Sequence, residues 1–175
     1  MPLPKGADLV VLNSGVAHDH AAGDYNTRRA ECERACSLLS VTLLRDVGIA
    51  DLSRVEALPE PLRRRARHVV TECARVRAAE KALERGNLEA LGEIMSEGHR
   101  SLANDYRVSV PAVDELVEDL LAHPGVLGAR MAGGGFGGCV IALCTGDSPA
   151  LDPMAHAPRR AWRISPAGRA ALLET

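Results

Sequence analysis

The stretch Ala129–Cys144, ARMAGGGFGGCVIALC, has five glycines within the six positions 133–138. Glycine loses more backbone freedom on folding than any other residue, so such a run is typical of backbone that needs positive φ angles or very close neighbours. The apolar run Val140–Cys144 predicts a short buried strand, and Val126–Met131 predicts the strand that leads into the glycines. We therefore expect strand, glycine turn and strand in this order.

Two interpretations of the glycine turn are open at this level. Its consecutive backbone N–H groups form a concavity suited to an anion, or its glycines serve only the close packing of two strands. Gly133, Gly135 and Gly138 also match the pattern G-x-G-x-x-G. That dinucleotide fingerprint requires a helix after the glycines, whereas an apolar strand is predicted here, so this reading is excluded. A Walker-type ATP loop is absent from the sequence as well.

Length and charge restrict the class of protein. A chain of 175 residues suits one domain. The net charge of −2 gives no electrostatic reason to expect a nucleic-acid or membrane partner. No apolar run approaches the length of a membrane span, and the first residues lack the apolar core of a signal peptide. We expect a cytoplasmic protein.

The five cysteines are interpreted as free thiols, because their number is odd and the expected compartment is reducing. Cys32 and Cys36 are four residues apart on a predicted helix, a spacing that brings two thiols together. No second pair with zinc-like spacing accompanies them, so small, buried apolar residues are the preferred interpretation. The pair His18 and His20 is interpreted as two polar loop residues. No metal site is predicted.

The remaining chain predicts one more strand and several helices. Asp8–Ser14 is an apolar run that ends in turn-forming residues and is predicted as a strand. A helix follows, with Asp24 as its cap and Tyr25 in its first turn. Pro59 and Pro61 mark the start of a long helix with a narrow apolar seam of Leu62, Ala66, Val69, Cys73, Val76 and Leu83. Four arginines crowd its first turns against the helix dipole, which hints at an acidic neighbour.

Two further helices complete the pattern before the glycine turn. Gly86 ends the long helix, and Asn87 caps the next, whose stripe is Leu88, Leu91, Met95 and Leu102. Pro111 opens a last helix, which His123-Pro124-Gly125 stops. The predicted fold is α+β, with a small antiparallel sheet and helices packed on one face as a two-layer sandwich. Residues 1–144 form this domain, and residues 145–175 form a divergent, weakly ordered basic tail without a DNA-binding motif.

Several motifs, taken in order, resemble one family. Gly23–Glu33 (GDYNTRRAECE), Arg67–Glu72 (RHVVTE) and Gly128–Cys139 (GARMAGGGFGGC) closely resemble segments of galactokinase, a small-molecule kinase of the GHMP superfamily. The resemblance covers roughly residues 3 to 144. It implies a GHMP kinase C-terminal domain and phosphorylation of D-galactose by ATP with Mg²⁺. Ala132 departs from the pattern, because the family commonly has threonine there.

The resemblance also implies roles for two parts of the chain. Tyr25 aligns with the family tyrosine that contacts the sugar, and a phenol both donates to and accepts from a hydroxyl. Without the family match, an ordinary half-buried tyrosine is the simpler interpretation. The other implied part is a wall of the active site, formed by the glycine turn with Gly133, Gly134, Gly135, Gly137 and Gly138.

The family's ATP loop and its catalytic aspartate and arginine come from the N-terminal half, and none of these motifs occurs in this sequence. The chain therefore offers no catalytic residue. We expect it to hold neither ATP nor Mg²⁺ alone, and to be active only beside a complementary N-terminal kinase half. A non-catalytic module that binds galactose or a related sugar is one alternative, and a decayed gene product that does not fold is another.

Overall fold

The computed structural model describes residues 4–16 and 21–164. The strands are β1 (Ala7–Asn13), β2 (Val126–Ala132), β3 (Cys139–Thr145) and β4 (Ala161–Ile164). The helices are α1 (Ala21–Leu39), α2 (Leu52–Glu56), α3 (Leu62–Glu84), α4 (Leu88–Ser101) and α5 (Pro111–Leu121). A π-helical turn, Leu102–Tyr106, extends α4. Among the described helices, none is both long and apolar enough to cross a membrane.

The strands form one antiparallel sheet in the order β2-β3-β1-β4. Leu9 of β1 pairs with Leu143 of β3 and, on its other side, with Ile164 of β4. The α+β class with a small antiparallel sheet is thereby confirmed. The three predicted strands are present, and β4 is an addition that its short, arginine-containing sequence did not predict.

One face of the sheet packs on α5. Period-two alternation places Val10, Leu12, Val140 and Ala142 on this face, and all four are fully buried. The apolar side of α5 covers them with Val113, Leu116, Val117 and Leu120. A second cluster lies between α1, α2 and α3, and includes Ala35, Leu39, Val55, Leu62, Ala66 and Val70.

Helix α4 lies along the outer edge of β2. Two backbone N–H groups of this strand donate to α4 side chains: Ala129 to Ser96 Oγ at 3.3 Å, and Met131 to His99 Nδ1 at 3.4 Å. A bare strand edge leaves such groups unpaired. The helix therefore supplies the partners that another strand would otherwise provide.

The helix ends follow the expected local chemistry. Asn87 caps α4, because its side chain accepts a hydrogen bond from the Ala90 N–H at 3.0 Å. Pro111 occupies the start of α5, where its missing N–H costs no hydrogen bond. Helix α1 differs, because it begins at Ala21, and Asp24 lies within its first turn instead of capping it.

The predicted seam of α3 is only partly correct. Leu62 and Ala66 are buried, but Val76 exposes 61% of its surface. Arg65 and His68, which the predicted seam did not include, are buried instead. Leu62, Ala66 and Val70 pack in the cluster with α1 and α2, whereas Ala82 packs with Leu91 of α4, so a single straight seam does not describe the contacts of α3.

Beyond Cys144 we expected a divergent, weakly ordered tail. The described residues 145–164 instead pack on the domain, because Ala150 and Leu151 are buried in the α5 cluster and β4 pairs with β1. An ion pair joins Arg163 of β4 to Asp8 of β1 at 2.6 Å. Residues 165–175 lie outside the described part of the chain.

Candidate functional site

Tyr25 projects from the N-terminal part of α1 and exposes 55% of its surface. The body of the domain holds α1 through its later turns, where Ala35 and Leu39 are buried. The described side chains from Gly23 to Thr27 are all exposed. The phenol of Tyr25 is therefore presented at the surface and is free to contact a ligand.

Tyr25 borders a groove of about 660 Å³ between α1, α3 and the loop after α1. The groove is lined by Tyr25, Arg29, Cys32, Glu33, Cys36, Ser37, Val41, Thr42, Leu43, Leu44, Arg45, Val69 and Tyr106. This lining combines apolar side chains with hydroxyl, thiol and charged groups. Such a mixture is typical of a small-molecule site, in which a few polar groups orient the ligand.

Tyr106 forms the inner side of this groove. Its hydroxyl lies 3.8 Å from Cys32 Sγ, and its ring packs on the His68 ring with 4.7 Å between the centroids. Burial and the nearby Cys32 thiol raise the pKa of Tyr106 well above its ordinary value. Its phenol therefore stays protonated and already has a partner within the chain.

A buried ion cluster holds α1 against α3 below the groove. Glu31 lies between Arg28 and Arg65, with Arg65 Nε donating to Glu31 Oε2 at 2.7 Å. Arg65 also donates to the Asp105 carbonyl oxygen. Burial opposes ionisation of Glu31, but hydrogen bonds from Arg65 and Arg28 lower its pKa. The acidic neighbour predicted for the arginines of α3 is therefore present.

The glycine turn between β2 and β3 is docked on two segments of backbone. The Phe136 N–H donates to the Val108 carbonyl oxygen at 2.6 Å, and the Gly138 N–H donates to that of Val16 at 3.1 Å. Gly135 and Gly137 are buried there, with φ angles of +94° and +128°. A Cβ atom would lie 2.5 Å from the Val108 oxygen at Gly135, and 2.6 Å from the Val16 oxygen at Gly137. Close packing explains these two glycines.

The tip of the same turn has a different environment. Gly133 and Gly134 are exposed, and a Cβ atom on either would meet nothing within 4 Å. Packing against the described chain therefore does not explain them. Their backbone remains open to a ligand or to another protein surface, as the anion-binding interpretation of the sequence requires.

In the described part of the chain, the Tyr25 groove and the glycine turn are connected only indirectly. None of the described residues that line the Tyr25 groove belongs to the turn. The two are connected through a short segment, since Tyr106 lines the groove and Val108 holds Phe136. The groove and the turn therefore contact opposite ends of residues 106–108.

Cys32 and Cys36 both line the groove as half-buried free thiols. Burial raises the pKa of both thiols, so neither has the thiolate character of a reactive cysteine. Over residues 4–16 and 21–164, no group of three or more His, Cys, Asp or Glu side chains is arranged to hold a metal ion. His18 and His20 lie outside the described residues.

Comparison with known proteins identifies the domain. Residues 79–156 match the family described as GHMP kinases C terminal. Residues 79–156 therefore belong to a GHMP kinase C-terminal domain. The match includes α4, α5, the glycine turn and the two strands that flank it. The resemblance to this superfamily expected from the sequence is thereby confirmed.

Relatives of this GHMP kinase domain include several galactokinases. The galactokinase of Pasteurella multocida is 47% identical over 147 residues, which are 81% of this chain and 38% of that protein. Human galactokinase is 48% identical over 141 residues, which are 80% of this chain and 36% of that protein. The crystal structure of Lactococcus lactis galactokinase complexed with galactose is 36% identical, with a TM-score of 0.77 over 82% of this chain and 38% of that one. The chain thus spans less than two fifths of each relative.

The sequence alone did not identify Tyr106 or the cluster around Glu31 as parts of this region. Glu31, Ala35 and Leu39 are spaced four residues apart, so the inward face of α1 carries a charge. Arg65 interrupts the seam of α3 in the same way. A charged residue on an otherwise apolar helix face is the signal that would have revealed this cluster.

Proposed function

We propose that this chain is the carboxy-terminal portion of a galactokinase-like sugar kinase, which converts ATP and D-galactose into ADP and galactose 1-phosphate. The observation that carries the proposal is the similarity to galactokinases, at 47% and 48% identity over about four fifths of the chain. The sugar in the related Lactococcus lactis structure is galactose, which supports a sugar substrate. A cytoplasmic location goes with this function.

In this proposal, ATP and Mg²⁺ are held by a complementary N-terminal half, which also supplies the catalytic aspartate and arginine. The family motifs for the ATP loop and for these catalytic residues do not occur in this sequence. We therefore assign no step of phosphoryl transfer to this chain. Phosphoryl transfer requires a phosphate cradle, a metal and a group that orients the attacking hydroxyl, so we expect the isolated chain to be inactive.

Two parts of the chain are assigned to the sugar and to the active-site wall. Tyr25 is the proposed sugar contact, supported by an exposed phenol at the rim of a groove. The glycine turn is the proposed wall, supported by the open backbone of Gly133 and Gly134. The Phe136 and Gly138 N–H groups hold this wall in place by donating to the Val108 and Val16 carbonyl oxygens, on which Gly135 and Gly137 are closely packed.

Complementation tests the function directly. The chain is co-expressed with the segment of Pasteurella multocida galactokinase that precedes its matching region, and the purified complex is assayed for ATP-dependent galactose phosphorylation. We expect activity from the complex and none from either half. A soluble, stoichiometric complex without activity would contradict the proposal.

The role of Tyr25 is tested in the active complex by Tyr25→Phe, with Tyr106→Phe as the matched control. Tyr25→Phe removes one hydrogen bond to the sugar, worth about 1.4 kcal/mol, and is expected to raise KM for galactose about tenfold. Tyr106→Phe removes a hydroxyl whose partner is Cys32 within the chain, so KM should change less than about twofold. Equal KM values for Tyr25→Phe and the unmodified chain would exclude the assignment.

A non-catalytic sugar-binding module is the alternative, favoured by the surface position of Tyr25 in the isolated chain. Isothermal titration calorimetry of the isolated chain with galactose, and separately with MgATP, distinguishes the two functions. Heat of binding from galactose, together with an inactive complementation complex, would favour the alternative. Absence of heat from galactose would remove it.

A further inference from the structure

Asp114 joins the helix along the edge of β2 to the segment that precedes α5. Its Oδ1 atom accepts a hydrogen bond from the Ser109 hydroxyl and lies 3.2 Å from His99 Nε2. His99 belongs to α4, Asp114 to α5 and Ser109 to the connection between them. A single carboxylate oxygen therefore ties three consecutive parts of the chain together.

The hydrogen bonds of His99 determine which of its nitrogens carries the proton. Its Nδ1 atom accepts from the Met131 N–H of β2 at 3.4 Å, and so it must be unprotonated. The proton of the neutral ring is then on Nε2 and is donated to Asp114. His99 exposes only 5% of its surface, and burial lowers its pKa although Asp114 acts in the opposite direction. The ring is therefore neutral, in one defined tautomer.

These three side chains have the composition of a hydrolase triad but not its order. In such a triad the serine donates to the histidine, which acts as its base, and the carboxylate holds the far side of the ring. Here the Ser109 hydroxyl donates to Asp114 instead. The histidine is therefore not placed as the base of Ser109, and the arrangement is suited to holding backbone in place.

Both ends of the arrangement lead to the glycine turn. Met131 lies in the strand that enters the turn, and its N–H group is held by His99. Ser109 is the neighbour of Val108, whose carbonyl oxygen accepts from the Phe136 N–H at 2.6 Å. Gly135 is packed on the same oxygen. The strand that enters the turn and the segment whose carbonyl oxygen holds the turn are thus both connected to the carboxylate of Asp114.

We infer that Asp114 is a positioning residue that sets the conformation of the glycine turn through His99 on one side and Ser109 on the other. Within the described residues, the side chain of Asp114 pairs with Ser109 and His99 and does not line the Tyr25 groove, so its effect is argued through these two partners. Its effect on the backbone is a property of the isolated chain. Its effect on turnover rests on the proposed function.

Asp114→Asn tests the inference, because the amide is isosteric but presents either an oxygen or an NH₂ group to His99 and Ser109. Amide hydrogen exchange is followed by NMR in the isolated chain. We expect the Phe136 and Met131 amides to exchange about tenfold faster than in the unmodified chain, while the amides of β3 exchange at unchanged rates. Glu115→Gln, at the exposed neighbouring position of α5, is the matched control and should change none of these rates.

The ring nitrogens of His99 give a second readout that a general loss of stability does not move. Their ¹⁵N chemical shifts report the tautomer, which should be Nε2–H in the unmodified chain and in Asp114→Glu, and mixed in Asp114→Asn. An unchanged Phe136 exchange rate in Asp114→Asn would overturn the inference. So would acceleration of the β3 amides by the same factor as Phe136, since that reports global destabilisation.

The complemented kinase supplies the functional measurement. Asp114→Asn is expected to lower kcat about tenfold and to leave KM for galactose within about twofold, because the groove at Tyr25 is untouched. If the unmodified complex is inactive, the proposed function fails, and the exchange rates still decide the inference. Faster Phe136 exchange without a change in kcat would overturn the part of the inference that concerns turnover.

Discussion

Gly92 of α4 and Gly128 of β2 are in direct backbone contact. A Cβ atom on Gly128 would lie 2.0 Å from the Gly92 carbonyl oxygen, and one on Gly92 would lie 2.1 Å from that of Leu127. No side chain fits between elements at this separation. The contact brings α4 close enough for Ser96 and His99 to reach the outward N–H groups of the strand.

Gly128→Ala should separate these two elements. The methyl group meets backbone atoms, which cannot move aside as the end of a flexible side chain can, so we expect a loss of about 3 kcal/mol or more in the free energy of unfolding. Urea unfolding followed by circular dichroism measures it. Glu93→Ala, at an exposed position of α4, is the control and should change the free energy by less than about 0.5 kcal/mol.

The glycine turn should respond to substitution according to position. Gly135→Ala combines a φ of +94° with a contact of 2.5 Å to the Val108 oxygen, so we expect a loss of about 2–3 kcal/mol. Gly134→Ala meets open space and has no positive φ, so thermal unfolding should leave its melting temperature unchanged or slightly raised. Equal losses in the two variants would show that the docked and open parts of the turn are not distinct.

Glu31→Gln tests the buried ion cluster. It leaves the Arg65 guanidinium, which is 6% exposed, without its carboxylate, and we expect a loss of about 3 kcal/mol in urea unfolding at pH 7. Glu33→Gln is the control, because its partner Arg29 is an exposed neighbour on the same helix. That change should be within about 0.5 kcal/mol. A comparable loss in both variants would mean that burial adds nothing to this pair.

His68 should make stability depend on pH. Burial lowers the pKa of His68 from 6.5 to about 4. Between these values the unfolded chain binds a proton that the folded chain does not, so the stabilisation is complete above pH 6.5 and is lost as the pH falls towards 4, by up to about 3 kcal/mol. Urea unfolding at pH 7 and pH 5 should therefore show a smaller difference for His68→Gln, which keeps a donor for the Ser101 hydroxyl, than for the unmodified chain. An identical difference would exclude His68 as the titrating group.

Local chemistry made much of the fold predictable from the sequence. Asn87 and Pro111 mark helix starts because their own side chains satisfy or remove a backbone donor. The strands on either side of the glycine turn were evident from apolar runs that end at glycines. These features depend on neighbours in the chain, and so the sequence carries them directly.

The parts that were missed depend on residues far apart in sequence. Cys32 meets Tyr106 across 74 positions, and Arg65 meets Glu31 across 34. Neither distance follows from helical periodicity. The backbone contact between Gly92 and Gly128 was not predictable from the sequence either, because an isolated glycine in a helix does not indicate which residue it will pack against.

The two outer edges of the sheet also differ in whether a further strand can pair with them. Helix α4 occupies the free side of β2, whereas β4 has no strand on its outer side among residues 4–16 and 21–164. Two molecules that paired through β4 would build one continuous sheet terminated at both extremities by α4. For this part of the chain, self-association by strand pairing is consequently self-limiting, and stacking into filaments by that route is blocked.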